Sequence, residues 1–335
     1  MKTETTFSCG DAPDIERLFT PTTYMSTWAS PEAFARRIKS INKKDAWQKT
    51  AWETVNYGDE GDGWSGTKTM EGALELMENG WKEGADLIER VRTQILAQNP
   101  IRKKAVVYGI VGGVPDVPRA VAGDLKNMKD MGTTASRRRP VITLLCNMAA
   151  NCGVSATAIS NRAAAVAAVV DEIEAAGFSC EVITTATTAG GGWDGQKGFS
   201  AMTSIVIKRS DQPVDILKMA YTLGHASMFR RMIFADWGIN QECKTGLGQC
   251  LGHSYSDDFD SLREKNIYSI PSAEECREKF KDETTTATVG LKFLVDGLRK
   301  QGCPAFPKWE EPPPTPESSL DMLVVKKKKK RRGEY

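Results

Sequence analysis

Seven consecutive cations lie near the end of the chain: Lys326, Lys327, Lys328, Lys329 and Lys330, then Arg331 and Arg332. Charges of one sign at this density repel one another, stay extended and suit contact with phosphates. If all seven engaged a single strand, binding would fall with salt at a log–log slope of about −5. Tyr335 is the one aromatic beside them, so neither base stacking nor sequence readout is expected. Arg137, Arg138 and Arg139 form a smaller second patch. The apolar run Leu320–Val325 just before the tail would also suit an anionic lipid surface.

The second place for chemistry is the loop after the apolar run Val141–Cys146. Open α/β sheets bind ligands at the C-terminal ends of their strands. This loop carries Asn147, Asn151 and Ser155, and Asp236 follows another apolar run. These four make a possible pocket, and Asp236 would be its carboxylate. Phosphate motifs are missing: there is no Gly-x-Gly-x-x-Gly and no Walker lysine. The glycine-rich stretch Thr187–Gly195 leads toward a strand rather than opening a helix, so it reads as a hairpin or insertion.

Other clusters carry less. The set Cys243-x6-Cys250-x2-His253 lacks the close ligand pairs of a structural zinc site. Asp59, Glu60 and Asp62 resemble a calcium loop only in part, because the twelfth position from Asp59 is Met70. His225 sits near a helix end, where bonding to free carbonyls is its expected role. His253, Ser254 and Asp257 are sequence neighbours, which seldom form a triad. No catalytic residue, metal or cofactor is expected.

The elements that must position these residues follow from periodicity. Ser30 caps a helix opened by Pro31 and running to about residue 44. Helices are expected over 69–79 and 83–97, the latter with Leu87, Val91 and Ile95 as its buried stripe. Strands are expected over 105–111, 141–146, 178–184, 203–208, 230–235 and 266–270. The run 156–176 is a long helix whose face carries Ile159, Ala163, Val166, Val170 and Ile173, ended by Gly177. Strand 141–146, this helix and strand 178–184 make a βαβ unit. Further helices fall at 214–226, 272–281 and 286–300. The Trp-rich first part, with Trp28, Trp47, Trp52, Trp64 and Trp81, reads as core packing.

Three divisions result: a helical and irregular part over 1–100, an α/β core over 101–302, and a Pro-rich linker with a disordered polybasic tail over 303–335. The 335 residues are 40% hydrophobic and 26% charged, which excludes disorder as the main state. No apolar run reaches membrane-spanning length, and no signal-like segment opens the chain. The net charge is +2; the last ten residues hold +6, so the rest is mildly acidic at −4. The eight cysteines are scattered and read as reduced thiols.

The strand 141–146, its loop and the long helix resemble a von Willebrand factor A domain. The metal motif of that family would fall on Asn147, Ala149 and Asn151. Asn for Asp removes charge and Ala149 removes a ligand, so the resemblance implies a version without the metal. A second resemblance rests on several motifs in order. They are Trp64–Thr69, Glu71–Leu76, Gly80-Trp81-Lys-Glu-Gly84, Pro115-Asp-Val-Pro118, Asn161–Gly177 and Met228–Ala235. Over about 60–240 they look like a family of uncharacterised proteins of phage and mobile-element genomes. That resemblance implies a viral or mobile-element origin and a Rossmann-like or von Willebrand A-like core. It implies no activity.

The expected function is that of a non-enzymatic viral or phage accessory or assembly protein. Its core would bind a protein partner and its tail would contact nucleic acid non-specifically, in the host cytoplasm or the virion. A hydrolase or nuclease working at the strand-end loops is one alternative, and a structural virion component is another.

Overall fold

The computed structural model describes residues 8–9, 24–41, 64–98, 107–110, 114–130, 139–150, 153–190, 199–238 and 266–307. Asn151, Arg137, Arg138, the Cys243–His253 cluster, the acidic residues 59–62 and the tail from Lys326 lie outside them.

Among the described residues the main sheet has six strands: β1 (Ser8–Cys9), β2 (Tyr24–Trp28), β6 (Val141–Asn147), β7 (Ser179–Gly190), β8 (Phe199–Lys208) and β9 (Ile267–Ile270). Their spatial order is β1-β2-β8-β7-β6-β9. All neighbours are parallel except β7 and β8, which are antiparallel. The strands β1, β2 and β8 therefore run opposite to β7, β6 and β9. The helices are α1 (Pro31–Lys39), α2 (Met70–Asn79), α3 (Lys82–Gln98), α4 (Val117–Val121), α5 (Ala156–Ala175), α6 (Ile216–Gly224), α7 (Phe234–Gly238), α8 (Ala273–Cys276), α9 (Glu283–Thr285) and α10 (Leu291–Lys300).

The expected βαβ unit is present as β6–α5–β7, with β6 and β7 paired in parallel from Val141↔Ser179 to Asn147↔Thr185. Ser155 caps α5 by accepting the Ala158 amide at 3.2 Å, and Gly177 takes a φ of 96° just past its end. α5 is buried on nearly every side, not only along the expected stripe. It lies between the sheet and α3, α6 and α10. Its alanines make that possible. Small side chains let neighbours approach closely, and a Cβ on Gly224 would stand 2.9 Å from the Ala163 Cβ.

One face of the sheet carries Ile142, Leu144, Cys146, Cys180, Val182, Tyr268 and Ile270 against α3, α5, α6 and α10. Farther along that face, Tyr24, Trp28, Ala186, Ala201 and Ile205 meet α1, α2 and α7. Alternate residues Leu145, Ile183, Met202 and Val206 point the other way and are buried as well. Burial on both faces explains why β6 reads as a continuous apolar run.

Three features differ from expectation. The strand expected at 105–111 exists as β3 (Val107–Gly109), but it belongs to a separate antiparallel sheet with β4 (Val114–Pro115) and β5 (Met128–Asp130). The main sheet instead takes a strand from the first hundred residues, since β2 pairs with β8. The expected strand at 230–235 is a π-helical turn, Met228–Ile233, running into α7. Its side chains are buried on all sides, so it has the continuous apolar signature that buried strands and buried helices share.

Candidate functional site

Of the four possible pocket residues, Asn147, Ser155 and Asp236 are described, and each is hydrogen-bonded to different partners. Asn147 ends β6. Its carboxamide donates to Thr187 Oγ1 at 3.2 Å and accepts the Ala149 amide at 2.9 Å, closing a local turn. Ser155 is occupied as the α5 cap. Asn151 lies outside the described residues. Asp236 is fully buried in α7 and touches a different part of the sheet.

Asp236 is the centre of a hydroxyl network. Ser26 donates to its Oδ2 at 2.7 Å, Thr203 to the same oxygen at 3.2 Å, and Tyr24 to Oδ1 at 3.2 Å. Arg37 Nε stands 3.9 Å from Oδ1. Trp237 and Trp28 donate to the Thr203 and Ser26 hydroxyls in turn. Burial pushes the Asp236 carboxyl above its usual range; Ser26, Arg37, Thr203 and Tyr24 pull it back down. Tyr24 and Ser26 on β2 and Thr203 on β8 share one face by strand alternation. That alternation places polar side chains inward, which is the one sequence signal that could have found the network. The arrangement ties α7 to the β2–β8 pair.

The π-helical turn carries two buried cations. Arg230 donates to the Trp64 carbonyl at 2.7 Å and the Val154 carbonyl at 2.7 Å, with its guanidinium 4.6 Å above the Trp64 ring. Arg231 donates from Nε to Thr67 Oγ1 at 2.9 Å and from Nη2 to Ser65 Oγ at 2.8 Å. Extra helical width at a π turn aims both forks at loops rather than at solvent. Arg230 thereby clamps the start of α5, and Arg231 clamps residues 65–67. His225 is a structural partner here: Nδ1 meets Ser227 Oγ at 2.8 Å, and its ring stacks on Tyr221 at 5.4 Å.

A groove of about 500 Å³ opens where the first turns of α3 and α5 meet residues Lys281–Glu283. Its back wall is Trp81 and Leu87, and Thr157, Ser160 and Asn161 project from α5. Just before α3, Gly80 lets the chain pass close to α6: its φ is 82°, and a Cβ there would stand 2.5 Å from the Leu217 Cβ. Gly84 leaves room for the Trp81 ring, since its Cβ would come within 2.1 Å. The Trp81 ring also meets the His225 ring edge-on at 4.7 Å. Asn161 is 1% exposed and donates to the Phe280 carbonyl at 2.9 Å. Arg90 closes one side in a bidentate pair with Glu283, at 3.2 and 2.8 Å to Oε1 and 3.1 Å to Oε2. Sequence reading missed this groove because Asn161 and Trp81 are eighty residues apart and neither belongs to a known motif.

Among the described residues, no group of three or more His, Cys, Asp and Glu side chains gathers around a common point. No helix among them is long and apolar enough to cross a membrane. No curated protein and no solved structure matches the chain. A family model does: it spans residues 16–301, covering both β2 at one end and α10 at the other, and the chain therefore belongs to the family described as a domain of unknown function, DUF7192.

Proposed function

We propose that this protein is a non-enzymatic binding protein, a viral or phage accessory or assembly factor acting in the host cytoplasm or virion. Its core holds a protein partner, and Lys326–Arg332 contacts nucleic acid. The von Willebrand A-like or Rossmann-like ancestry of the core is part of the same proposal, and the β6–α5–β7 unit supports it.

One observation carries the protein-partner half. The large apolar side chains exposed to solvent concentrate on the small module around β3–β5 and α4. Ile110, Val117, Val121 and Leu125 are 72, 63, 83 and 79% exposed. Single exposed apolar residues are ordinary, but four within sixteen positions are what a contact surface requires.

Two measurements test the proposal. Labelled single-stranded RNA and DNA are titrated by fluorescence anisotropy with the full chain and with a 1–325 truncation at two salt concentrations. Binding by the full chain alone, weakening steeply with salt, supports the tail; equal binding by both removes it. For the core, Val121→Asp with Leu125→Asp should abolish co-purification of whatever partner the native chain retains from its host. Retention of that partner by the double variant overturns the module as the contact surface.

A further inference from the structure

We propose that Arg162 holds a small oxyanion, a carboxylate or a phosphate group, where β6 and β9 end side by side. Such a site uses neither the polybasic tail nor the module at 107–130, and so stands or falls apart from the function proposed above.

Arg162 lies in the second turn of α5 and is 1% exposed. Its Nε donates to the Pro271 carbonyl at 2.7 Å. Its buried Nη2 has no hydrogen-bond partner, and among the described residues no carboxylate forms an ion pair with it. A guanidinium cannot shed its proton to escape burial, so a charge enclosed without a counter-charge is costly. Other buried cations of the same molecule are met. Lys208, 2% exposed, has Glu174 at 2.7 Å and the Cys180 carbonyl at 2.7 Å. Arg230 gives Nη1 and Nη2 to two carbonyls. Arg162 keeps an N–H of its fork for something that is not this chain.

The surroundings supply no substitute for an anion. Cys146 and Ile270 are register partners at the ends of β6 and β9, and Pro271 follows directly. Burial pushes the Cys146 thiol up to about 12 and the Cys276 thiol up to about 11, and the nearby Arg162 charge only partly offsets this. Both thiols are therefore neutral at pH 7 and carry no counter-charge. Glu275, on α8, turns its carboxylate to the amide and hydroxyl of Ser272. The cation thus sits at the carboxyl ends of two parallel strands, where open α/β sheets bind ligands. It also sits near the start of a 20-residue helix, whose first turn favours negative charge. The planar fork of an arginine matches carboxylate and phosphate oxygens in particular.

The test follows thermal unfolding of the full chain at pH 7 and fixed ionic strength, with inorganic phosphate, phosphoserine or acetate replacing part of the chloride. An anion bound to the folded core raises the melting temperature in a saturable way. Anions on the polybasic tail meet folded and unfolded chains alike and leave it unchanged. At least one of the three probes should give a saturable rise, with an apparent dissociation constant at least tenfold weaker on Arg162→Met. A response to acetate marks the ligand as a carboxylate, one to inorganic phosphate as the free ion, and one to phosphoserine alone as a phosphate ester. Should Arg162→Met fail to fold by circular dichroism, Arg162→Lys, which keeps the charge but not the fork, must show the same tenfold loss. A rise with the same midpoint in a folded Arg162 variant overturns the proposal. So does a native chain whose melting temperature none of the three probes changes.

Discussion

Gln301 pairs with the backbone of Ser269 as a neighbouring strand would. Its carboxamide oxygen takes the Ser269 N–H at 2.8 Å and its Nδ-equivalent, Nε2, gives a proton to the Ser269 carbonyl at 2.9 Å. Among the described residues β9 is the outer strand on this side of the sheet, where unpaired backbone groups invite pairing with another chain. Replacing Gln301 by Leu should cost about 1–3 kcal/mol in denaturant unfolding. It should also raise self-association in light scattering at high concentration. An unchanged scattering profile would show that α10 alone protects the edge.

Asp236 makes stability depend on pH in an unusual direction. Its carboxyl is held above the ordinary value of 3.8 in the folded state, chiefly by burial. The folded protein therefore binds this proton more tightly than the unfolded chain does. The corresponding stability is complete below the unfolded value and is lost as pH rises through the folded value. Measured against Asp236→Asn, which does not titrate, the native chain should lose relative stability as pH climbs from 3.8 upward. Asp236→Ala should be worse at every pH, by about 3 kcal/mol, because three hydroxyls lose their acceptor. A pH-independent difference between the native chain and Asp236→Asn would contradict the assignment.

Arg231 should not be replaceable by lysine. Its fork spans Thr67 and Ser65 with two different nitrogens, and an ammonium cannot hold both. Arg231→Lys is expected to lose about 2 kcal/mol. Amide exchange should quicken at residues 65–69 before it does in β6. Equal protection across both regions would remove the clamp role.

Two glycines should respond with opposite signs. Gly84→Ala would drive a methyl to 2.1 Å from the Trp81 ring, for a loss of about 1–3 kcal/mol and a shifted Trp81 fluorescence. Gly297, within α10, has open space around it. Its change to Ala should gain about 0.5–1 kcal/mol through helix propensity alone. Thermal melts of the two variants decide this directly.

The buried thiols should resist alkylation in the native state. Burial pushes Cys146 up to about 12 and Cys276 up to about 11, and the thiolate is the reactive form. Labelling with iodoacetamide at pH 8 should reach Cys146 and Cys276 only on unfolding. Rapid native labelling at Cys146 would mean that the β6–α5 interface opens, and at Cys276 that α8 lifts from α5.

How far the fold could be read in advance tracks how local its signals are. Ser30, Thr69 and Ser155 each cap the helix whose start they mark. The β6–α5–β7 unit has a long periodic helix between two apolar runs, so it was legible. The turn at Met228–Ile233 was not, because Phe229, Met232, Ile233 and Phe234 are all buried and a run buried on every side has no period to read. The site was less legible still. Asn147 spends its carboxamide on a turn, Asp236 faces hydroxyls from strands 177 residues apart in sequence, and Asn161 becomes visible only when α3 is laid beside α5. Distances between elements, not residue types, carry that information.

The pairing of β2 with β8 sets a timetable for synthesis. Tyr24 must wait for Ala201, its register partner 177 positions later. At about 5–20 residues per second, the ribosome needs about 9–35 s to deliver that partner. Through that interval the segment Tyr-Met-Ser-Thr-Trp has only the two residues of β1 to pair with. β7 and β8, by contrast, can zip as a hairpin as soon as they emerge. Vectorial folding should therefore start from the antiparallel seam and finish with the oldest part of the chain, leaving β2 as the stretch on which a holding chaperone has most to do.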